Sequence, residues 1–207
     1  CFMAMKYGCD KRRLYLVAIA FAFAGSALLM VGTLTSFPAW LDLYQFNVVN
    51  YNDAMIYYMF RHFLMAVLFI VAAILYPMRK YPLSRLAHIS IVSGASLFTA
   101  CAVGLAWIYS SHSPLLSIDL VDNETRQFMV LWSHCINISL IVFWVITLVA
   151  LMFVTRVRNL FWVGGNFLCV CYIVTLSMLL AGGHAEDISW YRARLFETVA
   201  TLLIIFV

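Results

Sequence analysis

Residues 14–34 read LYLVAIAFAFAGSALLMVGTL, and this stretch decides the class of fold. It holds no charged side chain, and Lys11, Arg12 and Arg13 stand directly before it. An α-helix rises about 1.5 Å per residue, so roughly 20 apolar residues reach across the ~30 Å hydrocarbon layer of a bilayer. No water is available there to pair backbone N–H and C=O groups. A helix closes those bonds within one segment and is the spanning structure expected for this run.

Working outward, five further runs have the same character: 54–76, 86–109, 128–154, 160–182 and 188–207. The run 128–154 is long, and tilt absorbs the excess. The chain is 65% hydrophobic and 11% charged, with mean hydropathy +0.97. Soluble domains are roughly 45–50% apolar and about 25% charged. The expectation is an all-α, polytopic transmembrane helix bundle with six spanning helices and the lipid bilayer as its solvent. Residues 1–9 read as the tail of an earlier helix and its turn. Residue 1 is Cys and the last run ends while still hydrophobic, so both ends read as cut from a longer protein.

The connections alternate in charge. Residues 10–13, 77–85 and 155–159 are short and basic, carrying Lys11, Arg12, Arg13, Arg79, Lys80, Arg85, Arg156 and Arg158. Residues 36–53, 111–127 and 183–187 carry Asp42, Asp53, Asp119, Asp122, Glu124, Glu186 and Asp187, no lysine, and Arg126 as their one arginine. An excess of Lys and Arg marks cytoplasmic loops. The expected topology is a multi-pass membrane protein with its C-terminus in the cytoplasm. Basic residues spread in this way mark topology and give no reason to expect nucleic acid. Trp40, Trp107 and Trp190 fall near the outer surface and Trp162 near the inner one, as interfacial anchors do. Ala18, Ala22 and Ser26 form a small-residue stripe suited to close helix packing.

Cysteines at 1, 9, 101, 135, 169 and 171 lie mostly in apolar runs, which suggests no disulfide framework. Cys169-x-Cys171 lacks metal-site spacing, and no metal is expected. Gly-rich phosphate loops, GxSxG and HExxH are absent, and no catalytic residue is assigned. Asn123-Glu124-Thr125 fits a glycosylation acceptor.

Ionisable groups at membrane depth are costly and face the bundle interior. Arg61 and His62, His134, and Arg194 with Glu197 all lie two to three turns below the outer ends of their runs. Counted at about 1.5 Å per residue, they reach one layer roughly 10–13 Å deep. Tyr57, Tyr58, Trp132, Asn137, Trp190 and Tyr191 accompany them. Arg194 and Glu197 are three apart and share a helix face. Two arginines and one glutamate leave a net positive charge. The layer reads first as a network locking three helices together, and next as an outward-opening pocket for an anionic or aromatic small ligand. A proton path, a small transporter or channel, and a His62–His134 haem pair are further readings; His88 lies too far inward to join that pair. All four prolines (Pro38, Pro77, Pro82, Pro114) are expected in loops, which counts against a helix broken at mid-membrane. His112 and His184 fall in outer loops as solvated residues, although His184 near Glu186 and Asp187 also suits a metal or pH response.

The string Tyr51-Asn52-Asp53-Ala54-Met55-Ile56-Tyr57-Tyr58-Met59-Phe60-Arg61 resembles a helix start in MASE-type bacterial membrane-associated sensor domains. Trp190-Tyr191-Arg192-Ala193-Arg194-Leu195-Phe196-Glu197 resembles that family's WYxxRxxE pattern, and the Ser111-His112 loop is also similar. The resemblance covers roughly residues 7–207. It implies a sensor placed before a cytoplasmic GGDEF-type diguanylate cyclase that makes cyclic di-GMP from two GTP with magnesium, as a homodimer. It further implies one or two helices before Cys1 and the cyclase after residue 207. No GG[DE]EF string occurs in these residues. A small-molecule or periplasmic signal is the expected input, and no cofactor is expected within this segment.

Overall fold

The computed structural model describes residues 13–36, 50–80, 84–111, 116, 118–156, 160–182 and 188–206. Among these residues six long helices follow in order: α1 (Leu14–Thr35), α2 (Tyr51–Met78), α3 (Arg85–Tyr109), α4 (Asn137–Thr155), α5 (Leu160–Ala181) and α6 (Ile188–Phe206). A π-helical segment, Leu131–Ile136, leads into α4. Five helices, counting Leu131–Thr155 as one, are long and apolar enough to cross a membrane. The sixth, α6, is similar in length but carries Arg192, Arg194 and Glu197. The architecture is the expected all-α multi-pass membrane bundle. The expected helix remnant at 1–9, Trp40, His112 and His184 lie outside the described residues.

The helix ends follow from capping. The Asn50 side chain accepts from the Asp53 N–H at 3.0 Å, so α2 begins at Tyr51, ahead of its apolar run. Ser84 does the same for α3, accepting from the Ala87 N–H at 3.2 Å. α4 ends at Arg156, whose φ of 49° turns the chain out of the helix. Pro77 is not in a loop. It occupies the last turn of α2, far from mid-membrane, where the helix is about to end.

α2 is the central helix. It packs against α1, α3 and α4, while α5 joins α4 to α6. Lipid tails are as apolar as leucine, so close packing, more than water exclusion, holds such helices together. Accordingly α1 presents Ala18, Ala22, Gly25 and Leu29 inward; Gly25 takes the place expected for Ser26. A Cβ at Gly25 would collide with Leu64 and come within 2.7 Å of Thr99 Cγ2. At Gly32 it would lie 2.6 Å from the Tyr57 ring. Leu28, Val31, Leu97, Ile146, Phe153 and Val199 point outward, as a lipid-facing surface requires. Trp107 is exposed on α3. Trp162 is buried, stacked edge-on against Tyr76 at 5.0 Å, and so is a core residue and no surface anchor.

The start of α2 also organises the α3–α4 connection. Asn52 Oδ1 accepts from the N–H groups of Leu120 at 2.7 Å and Val121 at 3.2 Å, and its Nδ2 donates to the Ile118 carbonyl at 2.8 Å. Buried Asp53 accepts from the Ser111 N–H at 2.9 Å and from the Ser111 hydroxyl. The connection folds back on itself through a Val121–Phe128 antiparallel bridge. In its exposed turn, hydrogen bonds from Thr125 Oγ1 (2.7 Å) and the Glu124 N–H (2.9 Å) hold the Asp122 carboxyl below its usual range.

Candidate functional site

Tyr58, Arg61 and His62 stand at i, i+3 and i+4 on one face of α2, and all three are buried. On α6 the buried stripe is Ala193, Glu197 and Ala200. The two alanines let that face approach its neighbours closely, so Glu197 reaches the interior. Arg194, one turn before Glu197, is partly covered, with its side chain 25% exposed against 7% for Glu197.

These elements meet in one ionic layer. Arg61 Nη2 donates to Glu197 Oε1 in a close ion pair between α2 and α6. The other terminal nitrogen of Arg61 lies 3.0 Å from Met30 Sδ on α1. Arg194 Nη1 stands 3.6 Å from Glu197 Oε2. One carboxylate thus faces two guanidinium groups, and the excess charge is positive. The Tyr58 ring lies among them, its centroid 4.1 Å from the Arg194 guanidinium carbon and 5.2 Å from that of Arg61. Both are cation–π distances.

An aromatic wall encloses His62. Trp144 Nε1 on α4 donates to His62 Nδ1 at 3.1 Å. Accepting there leaves the ring proton on Nε2, which is 3.8 Å from Glu197 Oε1 and beyond hydrogen-bond reach. Tyr172 on α5 packs at 4.7 Å from both the His62 and Trp144 rings. The Trp132 ring lies 6.2 Å from Tyr58. Among the described residues, three buried polar atoms in this neighbourhood have no hydrogen-bond partner: Tyr58 Oη, His62 Nε2 and Trp132 Nε1. Each such atom costs about 1–3 kcal/mol. All three can donate. Together with the excess positive charge, they suit an acceptor-rich or anionic group.

Of the residues singled out from the sequence, the structure brings together Arg61, His62, Tyr58, Trp132, Arg194 and Glu197. Tyr57 points toward α1 and α3, its hydroxyl 3.4 Å from Ser110 Oγ. Asn137 is buried between α4 and α5, donating to the Leu176 carbonyl at 3.2 Å. Tyr191 is exposed. For Trp190 the backbone alone is described.

His134 does not join the layer; it is exposed on the bundle surface. The cause is the π segment. The Asn137 N–H bonds to the Trp132 carbonyl, five residues back. Trp132 and Asn137 therefore both face inward, and the stripe resumes at Leu140, Trp144, Thr147, Leu151 and Thr155. Two residues past Trp132, His134 lands on the opposite side. The His62–His134 pair considered for haem is not formed. Met30, Trp144 and Tyr172 complete the site without any sequence signal, since Met and aromatics inside apolar runs look like ordinary core.

Comparison with known proteins places these features in a family. The chain is 22% identical over 208 residues to the "Probable diguanylate cyclase DgcT" of Escherichia coli (strain K12), covering 99% of this chain and 46% of that protein. It thus spans about half the length of the curated relative it matches. No solved structure matches the chain. Residues 1–207 match the MASE4 family, described as a membrane-associated sensor, integral membrane domain. A multi-pass helix bundle with a buried ionic layer accords with that description, and the chain belongs to the MASE4 family of membrane-associated sensor domains.

Proposed function

We propose that this membrane sensor domain controls a cytoplasmic diguanylate cyclase carried by the same protein. That enzyme would join two GTP into cyclic di-GMP with magnesium, working as a homodimer. The family membership and the printed name of the Escherichia coli relative support this reading. No GG[DE]EF string occurs in these 207 residues, so the chemistry would belong to another part of the protein. The basic loops support α6 running toward the cytoplasm, and the Escherichia coli relative supports a bacterial inner-membrane placement.

The sensing element in this reading is the ionic layer, and the observation that carries it is the Arg61–Glu197 pair. It ties the central helix to α6, the helix leading toward the output module. An anionic or aromatic small ligand with acceptor oxygens would compete with Glu197 for Arg61 and Arg194, and would satisfy Tyr58, His62 and Trp132. Binding one arrangement of α2 and α6 better than another shifts their populations. A shift of α6 then passes to whatever follows it. His134, Tyr57, Asn137 and Tyr191 have no direct part in this pocket.

The test uses whole protein in cells, with cyclic di-GMP as the readout. Arg61→Met with Glu197→Leu removes both charges without stranding either. The variant is expected to insert normally, to shift cyclic di-GMP by about fivefold or more, and to stop responding to growth conditions. Normal, regulated cyclic di-GMP in that variant would leave the layer a structural lock only.

A further inference from the structure

At the opposite end of the bundle, α2 and α4 finish side by side. Between them opens a cleft of about 460 Å³, lined by Tyr76, Pro77, Arg79, Lys80, Thr155 and Arg156, with Val154 behind. Arg79 is held in place, its guanidinium carbon 3.7 Å from the centroid of the Tyr76 ring. Tyr76 is itself buried, wedged edge-on between Tyr15 and Trp162. The backbone of Arg156 is fixed on the other side. It caps α4 in the left-handed region, φ 49°, with its N–H bonded to the Met152 carbonyl at 3.2 Å.

None of the described lining residues is acidic. Among the described residues the three cations have no carboxylate partner, and the carboxylates lie toward the other end. Two helix C-termini bring about half a negative charge each, roughly one in total. Three cations therefore exceed what the helix ends offset, by about two charges. Guanidinium forks and a lysine, gathered over a hydroxyl-bearing cleft at the edge of the apolar zone, match phosphate oxygens. Basic pockets between membrane helices take up anionic headgroups in this way.

We infer that the cleft formed by Arg79, Lys80 and Arg156 is a phosphate-group site, filled by the headgroup of an anionic phospholipid or by free phosphate. The inference does not depend on the sensing role given to the ionic layer. It concerns other residues at the other end of the bundle.

The experiment uses the protein in phosphatidylcholine nanodiscs, doped with phosphatidylglycerol in one arm and given inorganic phosphate in the other. Native mass spectrometry counts the phosphatidylglycerol retained after release, and the thermal midpoint reports phosphate binding. Each of Arg79→Gln, Lys80→Gln and Arg156→Gln should weaken binding about fivefold. Arg85→Gln removes a charge from the same end but outside the cleft, and should leave binding unchanged. Arg79→Lys keeps the charge and loses the stack on Tyr76, so it should weaken binding less than Arg79→Gln. Loss in the lipid arm assigns the site to a headgroup; loss in the phosphate arm assigns it to free phosphate. Binding that ignores the three glutamine variants in both arms, or falls as far with Arg85→Gln, overturns the site. Should one variant fail to insert, the remaining single variants carry the same comparison.

Discussion

Arg61 in the central helix and Glu197 in the last helix are ion-paired across 136 positions of sequence, both with side chains only 7% exposed. His62 Nε2, also on α2, stands 3.8 Å from Glu197 Oε1. A buried charge is tolerated only when it is paired and hydrogen-bonded. The position of α6 is therefore coupled to the chemistry around one carboxylate, which Arg194 also approaches.

The Trp144–His62 hydrogen bond orients the imidazole. Trp144→Phe keeps most of the ring packing and strands a buried nitrogen. A loss of about 1–3 kcal/mol is expected. Denaturant unfolding in micelles checks it, with Trp144→Leu losing more because the contacts to Tyr172 and Phe69 go as well.

Asn52 holds the α3–α4 connection through three backbone groups. Asn52→Ala is expected to speed hydrogen exchange at the Leu120 and Val121 amides by tenfold or more, corresponding to about 1.4 kcal/mol or above. Amides in the middle of α4 should keep their protection. Equal acceleration everywhere would mean that the bundle as a whole had loosened.

Gly32→Ala places a methyl carbon 2.6 Å from the Tyr57 ring. Overpacking of this kind costs about 1–3 kcal/mol. Gly94→Ala serves as the control, because a Cβ there meets nothing within 4 Å and the helix interior gains propensity. The thermal midpoint should fall for the first and hold or rise for the second.

Asp122 titrates below its usual value because Thr125 and the Glu124 amide hydrogen-bond its charged form. The folded value is the depressed one. Its contribution to the turn is therefore present above the ordinary carboxylate range and lost as pH falls through the folded value. A carboxyl-carbon NMR titration of Asp122 should give a midpoint under 3.8, the unperturbed value. Thr125→Ala should raise it.

Much of this was legible in the residues. Apolar runs of bilayer length locate all six helices, since nothing but a helix satisfies the backbone there. Counting Leu131–Thr155 as one helix, no end shifts by more than three residues, and caps such as Asn50 lie outside the apolar run. Depth counting, with the Arg194–Glu197 spacing, brings Arg61 and Glu197 to one level, and they do pair. Depth says nothing about direction around the helix axis. A single π turn therefore sent His134 outward while its neighbour Trp132 went in. Asn52 stood out only as part of a resemblance, and Asp53 only there and as one acid of an outer connection. Their hydrogen bonds run to residues some 60–70 positions away, and no local pattern encodes that.

The most direct test of the account is a double-mutant cycle on unfolding, using Arg61→Met, Glu197→Leu and the two combined. Glu197→Leu leaves Arg61 an uncompensated buried charge and should cost about 3–5 kcal/mol, while Arg61→Met leaves Glu197 facing Arg194 alone and should cost less. The combined variant should cost well under the sum, with a coupling of roughly 1–3 kcal/mol or more. Costs that simply add would show that the two side chains do not depend on each other, and the link between the central helix and α6 would fail.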